Sequence, residues 1–170
     1  MNHVFFTATI NSWQNLLSNN DIKKIVTNSL AWLSKENKVY VHGFVVMPNH
    51  IHLLWTINNQ YQVNEVENTL LKFTGHEFKK YLLAQNNELL SNYVSTQSDR
   101  NYHFWERSAR TIEIQSKEIA IQKLNYIHNN PIQEKWKLVS LPEDYQFSSA
   151  KFYFGLKADF DFIVHYNDFI

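Results

Sequence analysis

The segment MPNHIHLLW at residues 47–55 places two histidines, His50 and His52, one residue apart in an apolar run. In an extended strand, residues i and i+2 project to the same face, with Cβ atoms roughly 6–7 Å apart. Ile51 and Leu53 then face the opposite side, with the core. Two imidazoles side by side form a two-point ligand set for a divalent cation and leave most coordination positions open to water or phosphate. The spacing alone is weak. Eight histidines in 170 residues give about 0.4 such pairs by chance, and two solvent-facing histidines on one strand face would look the same.

The flanking pattern supplies the elements that would position the pair. Residues 3–10 (HVFFTATI) are β-branched and aromatic and predict a strand. Residues 12–36 open on Ser12, a cap-forming residue, and Ile22, Ile25, Val26, Ser29, Leu30 and Leu33 fall at helical spacing. The run Asn19-Asn20-Asp21 divides this stretch into two helices, with Asn20 or Asp21 capping the second. Strands follow at 38–48 and 50–57, joined antiparallel by the Pro48-Asn49 turn. A helix is predicted over 64–85 with Asn64 as cap, then a long polar loop over 86–102, then one or two strands in 103–114. Ser116 caps a helix over 116–130, with Ala120, Leu124 and Ile127 toward the core, and Pro131 stops it. The order β-α-β-β-α-β-α predicts an α+β chain, one ferredoxin-like domain spanning 1–170 with an antiparallel sheet and helices packed on it. The tail after 132 carries short turns and aromatic patches, with no clear element.

Composition narrows the chemistry. There is no cysteine, so disulfides and thiolate metal sites are excluded, and any metal must be held by His, Asn, Gln or carboxylate. No run approaches the ~20 apolar residues of a membrane helix. The N-terminus lacks a signal-peptide pattern, and a cytoplasmic, nucleoid-associated location is expected. Sixteen basic and sixteen acidic residues leave zero net charge, which argues mildly against a nucleic-acid partner unless a local basic stripe exists.

The whole string VVMPNHIHLLW resembles the HUH motif region of the single-tyrosine HUH transposases, most of all their REP-associated tyrosine transposase branch. FWERSARTIEI (104–114), LNYIHNNPI (124–132) and LPEDYQFSSAKFY (141–153) resemble that branch's later blocks, in the same order, and VFFTATI resembles its first strand. The resemblance spans about residues 3–154. It implies an enzyme that makes and rejoins single-stranded DNA breaks with a divalent metal, Mg²⁺ or Mn²⁺. A tyrosine attacks phosphorus and leaves a 5′-phosphotyrosyl enzyme with a free 3′-OH. Matched position by position, it implies His50 and His52 as metal ligands, Asn130 as the third ligand and Tyr126 as nucleophile. The partner it implies is single-stranded DNA carrying a hairpin. A homodimer is possible within the superfamily, whereas the branch resembled can act as a monomer.

Residues i and i+4 share a helix face, so Tyr126 and Asn130 can meet one phosphate, with Gln122 one turn earlier as a DNA contact. Spacing alone does not choose Tyr126: Tyr61/Glu65, Tyr81/Gln85, Tyr93/Gln97 and Tyr102/Glu106 offer the same pattern. Tyr81/Gln85 is the strongest rival, being on a predicted helix. Two departures stand out. Gln133 and Glu134 occupy positions where the branch often carries a basic residue, and Asn130 directly precedes Pro131, so it would reach the metal from a helix end. His128, at i+2 from Tyr126, should point away and pack or make a supporting hydrogen bond.

DNA also needs cations facing its phosphates. Lys72, His76, Lys79 and Lys80 share one face of the 64–85 helix, although a solvated face with Glu77 nearby reads the same way. Arg107 and Arg110 flank the strand before the Tyr126 helix. Three functions are then in competition: a DNA-nicking and strand-transferring tyrosine transposase, a domesticated hairpin-binding protein without turnover, and a metal-dependent phosphoesterase that uses water.

Overall fold

In this computed structural model the described residues are 1–96, 98 and 101–169. Strand β1 (Asn2–Thr9), helix α1 (Asn20–Lys35), strands β2 (Val39–Val46) and β3 (His50–Ile57), helix α2 (Val63–Ala84), strand β4 (Arg110–Glu113) and helix α3 (Lys117–Asn129) follow in chain order. The sheet runs β2-β3-β1-β4, and every neighbouring pair is antiparallel. This is the α+β, ferredoxin-like order that the element sequence predicts.

Strand β3 is buried along its whole length and β2 along nearly all of it, which is why both read as near-continuous apolar runs. The β2–β3 hairpin closes through the Pro48-Asn49 turn, with Met47 N–H donating to His50 O at 2.8 Å. Its register sets the site: His52 pairs with Thr7 and His50 with Thr9 across the β1–β3 ladder. A bulge between Val41 and Gly43 shifts β2 against β3. Helix α3 lies over Gly43, where a Cβ would collide with Leu124 and touch Ile127 and Ser149. Glycine here allows the helix that carries Tyr126 to sit close to the sheet.

Several boundaries differ from the sequence reading, each for a local reason. Ser12 does not cap a helix. It sits in a 3₁₀ turn over Asn11–Trp13 with φ 55°, a second short turn follows at Leu16–Ser18, and Asn19 caps α1 by accepting from Asp21 and Ile22 N–H. Helix α2 starts at Val63, so Asn64 lies inside it, and the Gln62 side chain makes no capping bond. Of 103–114 only Arg110–Glu113 joins the sheet, because the preceding backbone is spent elsewhere: Asn11 N–H donates to Phe104 O and Glu106 N–H to Thr9 O. The loop after α2 holds a 3₁₀ turn at Glu88–Tyr93. Ser116 does cap α3, accepting from Ile119 N–H.

The tail covers the outer edge of β2. Val46 N–H donates to Phe147 O, Ser149 N–H to Phe44 O and Val164 N–H to Val41 O. Those bonds occupy backbone groups that an edge strand otherwise leaves open to another chain. Tyr145 and Tyr153 reinforce the cover by donating their hydroxyls to Val46 O and His42 O, both at 2.8 Å.

Candidate active site

His50, His52 and Tyr126 line one cavity of about 340 Å³, together with Phe5, Thr7, Thr9, Trp13, Arg110, Ile112, Lys123 and Lys135. Period two on β3 points both imidazoles to the face that α3 covers. Their ring centroids are 4.7 Å apart, and His52 and Tyr126 meet edge to face at 5.0 Å. Phe5, on the neighbouring strand, stacks on His52 at 5.4 Å and meets Tyr126 at 6.1 Å.

Each imidazole is held from behind through Nδ1. Asn49 Oδ1 accepts from His50 Nδ1–H at 2.7 Å, and Asn49 Nδ2 donates to Trp13 O at 3.3 Å. An amide oxygen can only accept, so this contact puts the His50 proton on Nδ1 and leaves Nε2 with its lone pair. His52 Nδ1 lies 2.8 Å from Thr7 Oγ1, and its Nε2 is buried without a partner. An unpartnered ring nitrogen is least costly as a lone pair, which favours the tautomer in which Nδ1–H donates to Thr7.

Asn130 is 1% exposed, at the end of α3, and its Oδ1 accepts no formed hydrogen bond. It lies close enough to the His50 ring to hydrogen-bond its protonated form and favour it, whereas the neutral ring, with its proton on Nδ1, offers Asn130 Oδ1 no N–H. Contrary to the expectation from Pro131, Asn130 keeps helical backbone angles and opens a 3₁₀ turn over Asn130–Ile132. It does act from a helix end, as its position before proline implies. Two imidazole nitrogens and an orphaned amide oxygen make a donor set that a Mg²⁺ or Mn²⁺ ion accepts, with positions left over. Among the described residues, no cluster of three His, Asp or Glu offers an alternative set.

Burial holds both rings well below the ordinary histidine value. His50 falls to about 4 by desolvation and the nearby Lys135 charge, against the opposing pull of Asn130. His52 falls to about 3 by desolvation, then His50, Lys135 and Lys123. Both are therefore neutral at pH 7, the form in which imidazole binds a metal. Among the described residues, Arg110, Lys123 and Lys135 line the cavity and no carboxylate does. Zero net charge thus coexists with a locally cationic site.

The other candidates fall in three places. Lys72, His76 and Arg107 line a second, open cleft of about 620 Å³ between α2 and the 102–109 segment, with Asn68, Tyr102 and His103. Lys79 does not reach that cleft and stacks over Tyr102 at 5.1 Å, while Lys80 pairs with Glu77 at 3.8 Å. Of the four residues predicted as one row, Lys72 and His76 thus line the cleft, Lys79 covers one of its lining residues and Lys80 lies beside Glu77. The two clefts adjoin where Glu106 N–H donates to Thr9 O. Gln122 is exposed and lies outside the histidine cavity.

Of the rival tyrosines, Tyr81 contacts Asn19 and Asp21 and lies away from the histidines, and Gln97 lies outside the described residues. His128 turns away from Tyr126 and bonds Ser149 at 2.8 Å, as its i+2 position predicts. Sequence reading missed Thr7, Trp13, Asn49, Lys123 and Lys135. Lys123, three residues before Tyr126, had a usable helical-spacing signal; Thr7 needed the β1–β3 register.

A family model described as IS200-like transposase matches residues 3–130, three quarters of the chain. The chain belongs to the IS200-like transposase family. Among solved structures, this transposase is similar to a REP-associated tyrosine transposase bound to a REP hairpin. The two share 18% identity at a TM-score of 0.65, covering 96% of this chain and 92% of the other. A candidate transposase from Deinococcus radiodurans is similar at 15% identity and a TM-score of 0.51, over 75% of this chain and 88% of that one. At such identities these likenesses bear on the fold. No curated protein matches the chain. Among the described residues, no helix is long and apolar enough to cross a membrane.

Proposed function

We propose that this IS200-like transposase belongs to the REP-associated branch and cleaves and rejoins single-stranded, hairpin-containing DNA, with Tyr126 as nucleophile. The observation that carries this reading is the meeting of His50, His52 and Tyr126 at one cavity, with the buried Asn130 side chain beside His50, from two separate elements, β3 and the end of α3. Tyr126 is 43% exposed on a cavity lined by three cations, an unusual place for a residue that serves only packing.

In the reaction, Lys123, Lys135 and Arg110 draw the DNA phosphate into the cavity. Tyr126 Oη forms a bond to phosphorus while the P–O3′ bond breaks. The 3′-oxygen takes up a proton, and the half-exposed phenol releases its own to water. The phosphotyrosine retains the ester bond energy, so a 3′-OH can reverse the step without a nucleotide cofactor. A divalent cation held by His50, His52 and Asn130 would supply Lewis-acid polarisation of the phosphoryl oxygens. Thr7 and Asn49 keep the two rings oriented for that role.

The test incubates labelled hairpin-containing single strands with the protein and Mn²⁺ or Mg²⁺ and resolves the products under denaturing conditions. A covalent protein–DNA adduct lost in Tyr126→Phe supports the proposal. Binding without cleavage identifies a hairpin-holding protein, and cleavage that survives Tyr126→Phe identifies a water-using phosphoesterase. Either result overturns it.

A further inference from the structure

Two consecutive non-glycine residues, Ser12 and Trp13, hold left-handed backbone angles, φ 55° and 56°. For a bulky side chain this conformation is an outlier that persists only where its surroundings over-determine it. They do so here. Ile10 N–H donates to Asn49 O at 2.8 Å, Asn11 N–H to Phe104 O at 2.7 Å and Trp13 N–H to Ile10 O at 2.9 Å. Ser12 N–H donates to Glu106 Oε1 at 2.6 Å, and the Asn49 amide clamps Trp13 O.

Packing does not explain the arrangement, because the turn holds Trp13 outward. At 67% it is the most exposed large apolar side chain among the described residues, yet it borders the cavity that His50, His52 and Tyr126 share. The cations of that cavity account for a phosphate and leave the attached base unplaced. An indole face beside them suits a nucleobase, since every base offers a π-face whatever its sequence.

We propose that Trp13 is a stacking platform for a base flanking the scissile phosphate, held in place by the strained turn. The same Asn49 amide that fixes Trp13 O also fixes the His50 ring, so the base platform and the metal-facing histidine share one support. This rests on the single-stranded DNA reading above and adds to it the residue that positions the strand.

The test measures anisotropy of dye-labelled hairpin-containing single strands in EDTA, with Tyr126→Phe as the parent protein so that no chemistry intervenes. Parent, Trp13→Gly and Trp13→Phe are each titrated with intact strands and with strands abasic at single positions within a few nucleotides of the nick. Trp13→Gly should weaken binding of the intact strand roughly 5- to 150-fold. One abasic position should abolish that difference, and Trp13→Phe should retain most of the affinity. Glycine adopts positive φ freely, so Trp13→Gly should melt no lower than the parent. A purely structural residue would lose stability and binding together.

Equal binding by Trp13→Gly and parent overturns the proposal, as does a loss that no abasic position relieves or one that tracks a fallen melting temperature. The first of these, with Tyr126 adduct formation intact in the unsubstituted protein, sinks the platform alone. Absence of any strand binding by the parent sinks the platform and the function together.

Discussion

Replacing Thr7 with valine tests whether His52 is held ready to bind a metal. Valine keeps the β-branched shape and strand preference of threonine, so the β1–β3 register should survive. Only the hydroxyl 2.8 Å from His52 Nδ1 is lost. The ring, 5% exposed, then has two options. It can keep its proton on Nδ1 without an acceptor, at a cost of about 1–3 kcal/mol for a buried unmade hydrogen bond. Alternatively the proton moves to Nε2, which also lacks a partner, and the ligating lone pair is lost. Both outcomes lower stability by about 1–3 kcal/mol, roughly 2–12 °C in melting temperature for a chain of this size. Both should weaken Mn²⁺ binding about 10- to 100-fold, the usual effect of removing a hydrogen-bond partner from a ligating histidine. Calorimetric titration of Mn²⁺ reads the affinity, thermal melting reads the stability, and Thr7→Ser, which retains the hydroxyl, should recover most of both. Unchanged Mn²⁺ affinity in Thr7→Val would refute the reasoning, and so would a serine variant as weak as the valine one.

Two further outcomes follow from how the sheet is built. Gly43→Ala places a methyl group into Leu124 beneath α3; it should cost about 1–3 kcal/mol by overpacking and reduce adduct formation more than DNA binding, read by melting and by the adduct assay. Burial holds His42 at about 4, where it links Thr56 Oγ1 at 2.7 Å to Val164 O at 3.1 Å. Its folded value lies below the unfolded one near 6.5, so the unfolded chain binds more protons between them. Its stability contribution is complete above about pH 6.5 and is lost as pH falls toward 4, on the order of 3 kcal/mol. Urea unfolding at pH 7 and 4.5 should show a shallower pH dependence in His42→Gln than in the unsubstituted chain.

What the sequence made legible was whatever depends on spacing within one element, with the motif resemblance choosing among equally spaced candidates. Period two put His50 and His52 on one face of β3, and helical spacing put Tyr126 four residues before Asn130. The apolar runs marked β2 and β3, and Ser116 marked the start of α3. Hidden features depend on what different elements do to one another. Thr7 meets His52 only because β1 and β3 pair in one register; shifted by a residue, Thr7 would face the other side of the sheet. The row of cations on α2 looked uniform by spacing, yet its members have different neighbours: Lys72 and His76 line the open cleft, Lys79 lies over Tyr102 and Lys80 stands beside Glu77.

The neutral net charge hides the local charge of the cavity for the same reason. A total over 170 residues is blind to position, and DNA responds to the field within about a Debye length of its phosphates. Here Arg110 comes from β4, Lys123 from α3 and Lys135 from the stretch after Asn130–Ile132, and they meet in one cavity that no carboxylate of the described residues lines. Where Gln133 and Glu134 stand in place of the basic residue that the resemblance leads one to expect after Asn130-Pro131, the next residue, Lys135, reaches the cavity wall, close enough to depress both His50 and His52. On the proposed function, Lys135 would meet the phosphate from one or two residues further along the chain than the resemblance implies.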